Sequence, residues 1–303
     1  MTALEGTELE PPGAAPPPTA EPPRSLPRPR ADTARRPVLR AVGLGLSLLG
    51  VLVLGFAAYL YGLSGVQEAR SQTTLYERIS NELANGVGPT GPTQPGAPVA
   101  ILNIPSIGVH DLVVVEGTSP ENLTLGPGHL RNTTLPGQGG TSVIYGRRAT
   151  FGAPFSRLAQ LRPGARITAI TSQGTSSYTV AALGDSRRLV ENPAPNQLIL
   201  LTAGSATIPA YYVDIDANLT SKAQPSPGGL PDITTRETAL SGDPTALVLT
   251  TLWAFALVLV SAGGTVAAVR WSPWLVYLCA VPVALAVLWN LYENLAALLP
   301  NVY

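Results

Sequence analysis

Three long apolar stretches constrain this chain more than anything else in it: residues 42–63, 246–269 and 274–291. Each is about as long as the ~20 residues a helix needs to cross the hydrocarbon core of a bilayer. Backbone in lipid must satisfy its own hydrogen bonds, so such stretches are expected to be helices. Arg24, Arg28, Arg30, Arg35, Arg36 and Arg40 precede the first stretch. Basic residues are held on the cytoplasmic side, so the N-terminus is expected in the cytoplasm. A cleaved leader would have a shorter apolar run and a small-residue cleavage site, and neither stands out. The second and third stretches are joined by a short break in which Arg270 is the sole charge, which reads as a hairpin turning on the cytoplasmic side. Trp271 and Trp274 at one end, and Trp289 and Tyr292 at the other, fit interfacial aromatic belts. Three crossings then put the region between the first two stretches, and the C-terminus, outside. Glu293 is flanked by Asn290, Tyr292 and Asn294 and is expected at the interface rather than deep in lipid.

The remaining segments divide by composition. Residues 1–40 are rich in Pro, Ala and Arg, bury too little apolar surface to offset their ordering entropy, and read as a disordered cytoplasmic tail. A first transmembrane helix is expected over 41–63. A juxtamembrane amphipathic helix is expected within 64–98, because Leu75, Ile79 and Leu83 recur at four-residue spacing. A Gly/Pro linker over 86–98 ends it. Residues 99–219 are the only segment that reads as a folded soluble domain. Seven short runs rich in β-branched residues fall in it: 100–104, 112–115, 141–145, 166–171, 177–183, 198–201 and 211–215. That spacing points to an all-β barrel or sandwich. Phe155, Leu158 and Leu161 suggest one short helix. A second linker is expected over 220–244, further transmembrane helices over 245–269 and 273–291, and an exterior tail over 292–303.

Charge and cysteine exclude several classes. Nineteen basic residues balance nineteen acidic ones, so no nucleic-acid partner is expected. The only Cys, Cys279, lies in the third apolar stretch; it forms no disulfide within one chain, and an apolar setting makes a thiol a poor nucleophile. Glu116, Asp185, Glu191, Asp214 and Asp216 show no metal-ligand spacing, so neither metal nor cofactor is expected.

The chemistry is carried by a motif pair, Gly146-Arg147-Arg148-Ala149-Thr150-Phe151-Gly152-Ala153-Pro154-Phe155 and Leu198-Ile199-Leu200-Leu201-Thr202-Ala203. With Ile104-Pro105-Ser106-Ile107-Gly108-Val109, Gly126-Pro127-Gly128-His129 and Leu135-Pro136-Gly137-Gln138, the domain resembles a sortase over nearly its whole length. It is most similar to the class D and class E enzymes of Gram-positive, actinobacterial type. The resemblance implies an eight-stranded β-barrel outside the membrane. It also implies a Cys that attacks a sorting-signal peptide carbonyl, a His that moves the proton, and an Arg after the Cys that stabilises the oxyanion. Here the His position is Arg147, the Cys position is Ala203, and no Arg occurs between Arg188 and Arg236. The chain therefore reads as a pseudo-sortase. Ser205 with His129 is the only alternative nucleophile and base in view. Arg147 has two open roles: holding an anionic ligand bidentately, or filling the old pocket while paired with a nearby acid. The candidate groove residues are Arg147, Arg148, Thr202, Ala203, Ser205 and His129. Three functions follow: a non-catalytic module binding an envelope protein or peptide, a structural subunit of a membrane complex, and a transpeptidase or hydrolase with altered chemistry.

Overall fold

The computed structural model describes residues 35–185, 194–205, 211–230, 232–238, 240–270 and 273–303. The disordered-tail reading of 1–34 and the belt residue Trp271 lie outside the described residues. The chain divides into two units, residues 1–50 and 51–303. In the first, the described residues are helical and belong to α1, Arg35–Ala58. A π-helical turn, Tyr59–Leu63, follows, and α2, Ser64–Ala84, continues from it. Among the described residues, three helices are long and apolar enough to cross a membrane: Val42–Ala84, Ala246–Arg270 and Leu278–Ala297. The first has 43 residues. At 1.5 Å per residue that is about 65 Å, twice the ~30 Å of a bilayer core. Its second half, α2, is polar and packs on the β domain. Leu75 and Ile79 bury against Ile101, Val113 and Val115. Gln72 works as a clasp: Nε2 donates to the carbonyls of Val113 (3.1 Å) and Leu125 (2.9 Å), and Oε1 accepts from the Val113 N–H (2.8 Å).

The β domain is a closed barrel with strand order β1-β2-β3-β4-β7-β8-β6-β5. The strands are β1 Pro98–Ile104, β2 Val109–Glu116, β3 Gly128–His129, β4 Thr141–Tyr145, β5 Arg166–Thr171, β6 Gly174–Asp185, β7 Gln197–Ala203 and β8 Tyr212–Leu219. Val99, Leu102, Ile104, Ile144, Ile167, Leu200 and Ile215 are among the side chains filling its interior. The β-branched runs fall on seven of these strands. The eighth, β3, is two residues long and carries no alternation. It bridges β2 in parallel and β4 antiparallel. Its Gly128 is required by close approach, since a Cβ there would lie 2.2 Å from the Gly117 carbonyl oxygen.

One local expectation is corrected, and the second linker is seen to have contacts of its own. The three-residue recurrence from Phe155 gives only one 3-10 turn, Leu158–Gln160; Leu161 is already extended, at φ −59° and ψ 146°, as the chain heads into Pro163. All three side chains are nevertheless buried. The 220–244 stretch does not stand free of the barrel. The Gln224 backbone bridges Gln138, the Leu230 N–H donates to the Arg131 carbonyl (2.8 Å), and a capping box joins Thr234 to Glu237.

Helices α3, Ala246–Arg270, and α4, Pro273–Ala297, form an antiparallel hairpin. The Asp243 N–H donates to the Ala297 carbonyl (2.9 Å), so the start of α3 and the end of α4 meet. The final helix runs past Leu291, where the apolar pattern placed its end. Phe255, Leu259 and Leu278 are among the many large apolar side chains left exposed. A surface of that kind fits a lipid environment. At the barrel end of the hairpin, Tyr59 packs edge-on against Trp289 (centroids 5.1 Å apart) and Phe151 (6.3 Å), and tilted against Tyr292 (6.0 Å). Glu293 accepts from Gln67 Nε2 (3.4 Å).

Candidate functional site

The two motifs meet because β4 and β7 pair in parallel, Tyr145 opposite Leu201. Both strands then end at the same rim. The Gly146 N–H donates to the Leu201 carbonyl (3.0 Å), and Thr202 Oγ1 donates back to the Gly146 carbonyl (2.8 Å). Gly146 must lack a Cβ, which would sit 2.3 Å from the Phe155 ring. Arg147 and Ala203 follow directly.

Arg147 is 1% exposed. Its guanidinium donates to the carbonyls of Leu123 (Nε, 3.1 Å) and Pro120 (Nη2, 3.2 Å) and to Thr150 Oγ1 (Nη1, 3.3 Å). It also lies over the Phe151 ring, 4.6 Å from the centroid, in cation–π range. Burial pushes its pKa down to about 10, so it remains a cation at neutral pH. The expectation that it pairs with an acid is not met among the described residues: the partners are carbonyls and a ring. A carbonyl-lined seat suits a planar donor fork.

The loop after Arg147 is strained. Phe151, Gly152 and Ala153 sit at φ 49°, 71° and 48°. A non-glycine residue there costs about 1–3 kcal/mol and persists only where its surroundings fix it. Ser64 Oγ accepts from the Phe151 N–H (3.0 Å), and a Cβ at Gly152 would lie 2.3 Å from Glu68 Oε2. The first turns of α2 thus brace the loop that carries Arg147.

Ala203 is fully buried, in a cluster with Leu123, Leu130, Tyr145, Leu201 and Val302. Its methyl offers no nucleophile. The residue opposite it on β8 is Tyr212, not an Arg. Arg148 Nη1 donates to the Ala203 carbonyl (3.1 Å). What closes this cluster is the segment after α4. The Val302 carbonyl oxygen accepts two backbone N–H groups, from Arg148 (3.1 Å) and Ala203 (3.3 Å). Asn301 Nδ2 faces the carbonyls of Thr118 (3.1 Å), Thr238 (3.1 Å) and Arg236, and Ser241 Oγ (3.1 Å). Thr150 Oγ1 donates to the Tyr303 main-chain oxygen (2.9 Å), and the Tyr303 hydroxyl meets that of Tyr61. Nothing in the sequence pattern linked residues 301–303 to the motif pair. The one available hint was Pro300, which ends the helical pattern and leaves a polar, a β-branched and an aromatic residue to pack elsewhere.

His129 does not join this constellation. It is buried on β3, with Nδ1 3.0 Å from Glu116 Oε2 and Nε2 2.9 Å from the Thr134 carbonyl. Both ring nitrogens are turned to Glu116, Thr133 and Thr134. Ser205 itself is half-buried just beyond β7. Of the six candidate residues, the structure joins Arg147, Arg148, Thr202 and Ala203 into one seat, and it holds His129 elsewhere.

Residues 102–211 match the family model described as Sortase domain. Sortase SrtE1 of Streptomyces coelicolor is 29% identical over 184 residues, covering 55% of this chain and 52% of that protein. Sortase D of Bacillus subtilis is 33% identical over 85 residues, 28% of this chain and 41% of that protein. The chain spans about half the length, or less, of these curated relatives. Among solved structures, sortase E of Streptomyces avermitilis is 28% identical, with 43% of this chain and 91% of that one covered and a TM-score of 0.37. A Clostridium perfringens sortase D5 transpeptidase is 18% identical, with 50% and 99% covered and a TM-score of 0.43.

Proposed function

The chain belongs to the sortase family through its barrel domain, and from that premise we propose that it binds a peptide segment of a cell-envelope protein at the membrane surface without cleaving it. One observation carries this reading. The position that would attack is the Ala203 methyl, yet the N–H groups of Ala203 and Arg148 still converge on a peptide carbonyl. Paired backbone donors of this kind bind a carbonyl oxygen whether or not a nucleophile is present. The proton-transfer position supports the same reading: the Arg147 guanidinium is locked onto carbonyls and gives up no proton near neutrality.

The protein is anchored by its three apolar helices, with the N-terminus cytoplasmic and both the barrel and the segment after α4 outside. The arginines before the first span and Arg270 in the hairpin support that orientation. So does the return of α4 to the start of α3, because a hairpin that leaves the barrel side and comes back crosses the bilayer twice.

The test uses the full chain in detergent with a panel of peptides from envelope proteins. Fluorescence anisotropy is expected to detect binding, and mass spectrometry is expected to find every peptide intact after long incubation. Turnover that disappears in Ser205→Ala would reject the non-catalytic reading.

A further inference from the structure

We propose that Pro300–Tyr303 is a tethered ligand of this groove, a segment of the chain's own that covers position 203 and must leave before another peptide can bind there. This rests on the peptide-binding reading above and specifies its ligand.

Three observations fix the register. The Val302 carbonyl oxygen lies between the Arg148 and Ala203 N–H groups, at 3.1 and 3.3 Å. That places the Val302–Tyr303 peptide bond beside position 203, where a reacting bond would lie. The Val302 side chain is 0% exposed and fills an apolar pocket of Leu123, Leu130, Tyr145 and Leu201. A β-branched residue fits such a pocket with few rotamers to lose. Asn301, also 0% exposed, presents an amide with two hydrogens to four oxygens, and its N–H donates to the Ser241 carbonyl (2.8 Å). Acceptors so placed discriminate against a side chain that has no N–H, because they would be left buried and unpaired.

The segment is not an extended strand. The Tyr303 N–H donates to the Pro300 carbonyl (3.0 Å), closing a turn whose central residues are Asn301 and Val302. Its polar contacts come from loops, Thr118, Thr150 and 236–241, rather than from a strand ladder. A segment held on loops and two N–H groups can leave without opening the barrel, which separates a ligand from a structural strand.

The experiment places a reporter thiol under the segment. In a Cys279→Ser background, Ala203→Cys is introduced into the full chain in nanodiscs and alkylated with a small maleimide. The intact chain is expected to label at least about tenfold more slowly than a chain stopped after Pro300, the factor given by a segment held by only about 1.4 kcal/mol. Adding a synthetic peptide of residues 297–303 is expected to restore protection to the shortened chain, and the same peptide with Asn301→Ala is expected to fail. Val302→Asp in the full-length chain is expected to label like the shortened one.

Equal labelling of intact and shortened chains overturns the tethered ligand and leaves the peptide-binding reading standing. A shortened chain that stays folded and labels fast, yet is protected by no peptide from this chain or from the envelope, overturns the peptide-binding reading and this proposal with it. Loss of the barrel's folded circular dichroism in both the shortened chain and Val302→Asp overturns the proposal in favour of a structural strap.

Discussion

Adjacent residues on the same two strands feed two different clusters. Ile144 and Leu200 point into the barrel, while their neighbours Tyr145 and Leu201 point out, into the cluster around Ala203. Strand alternation makes this division unavoidable. The inner cluster is closed by the barrel's own elements, all between residues 99 and 217. The outer one needs Val302, with Ile233 and Leu240, to cover it. The first is a core. The second is covered by the segment that follows α4, and on the proposal above that cover can be vacated.

The contrast can be broken by substitution. Ile215→Ala, inside the barrel, is expected to cost about 2–5 kcal/mol, the usual range for emptying a well-packed site, read as a lower urea midpoint in pulse proteolysis. Arg147→Met is expected to cost about 1–3 kcal/mol, because the Pro120 and Leu123 carbonyls lose their donors. Arg147→Lys is expected to recover little of this, since it lacks the fork. A loss no larger than that of an exposed Arg would remove Arg147 from the structural framework.

Asp216, on β8, gives a gentler effect that depends on pH. Burial and the neighbouring Asp214 carboxylate push its pKa up to about 6, from an ordinary 3.8. The folded state therefore holds this proton more tightly than the unfolded chain does. The stability that the proton contributes is complete below about 4 and is lost as pH rises through about 6. Asp216→Asn is expected to flatten stability across that window and to raise it at pH 7; an unchanged slope would remove Asp216 as its source. The smallest stability change is expected for Val302→Ala, about 1 kcal/mol or less, because the covering segment can detach without opening the barrel, together with faster alkylation of a thiol at position 203. A loss of about 2 kcal/mol would merge the two clusters into one core.

The same contrast governs what the sequence discloses. The inner cluster announces itself through β-branched runs, so seven strands are legible from local pattern. Strand β3 is not, because two residues show no period and Gly128 is selected by a backbone approach rather than by burial. The meeting of Arg147 and Ala203 is legible from the motif pair, since sequence order preserves their register. The partners that define the seat are not. Pro120, Leu123, Thr118 and Asn301 contribute mainly backbone carbonyls and single polar contacts, which leave no periodic trace. His129 illustrates the reverse problem: a lone His in a motif loop suggests chemistry, and its burial against Glu116 and Thr134 accounts for it structurally.

The passage from Tyr59 through α2 is unbroken helix, and Gln72 clasps that helix to the barrel. A domain on a hinged stalk sweeps a volume and samples whatever drifts through it. A domain bolted to its post surveys a single height above the bilayer. On the peptide-binding reading proposed above, access to the groove is then set less by a ligand's abundance than by the height at which it carries its segment.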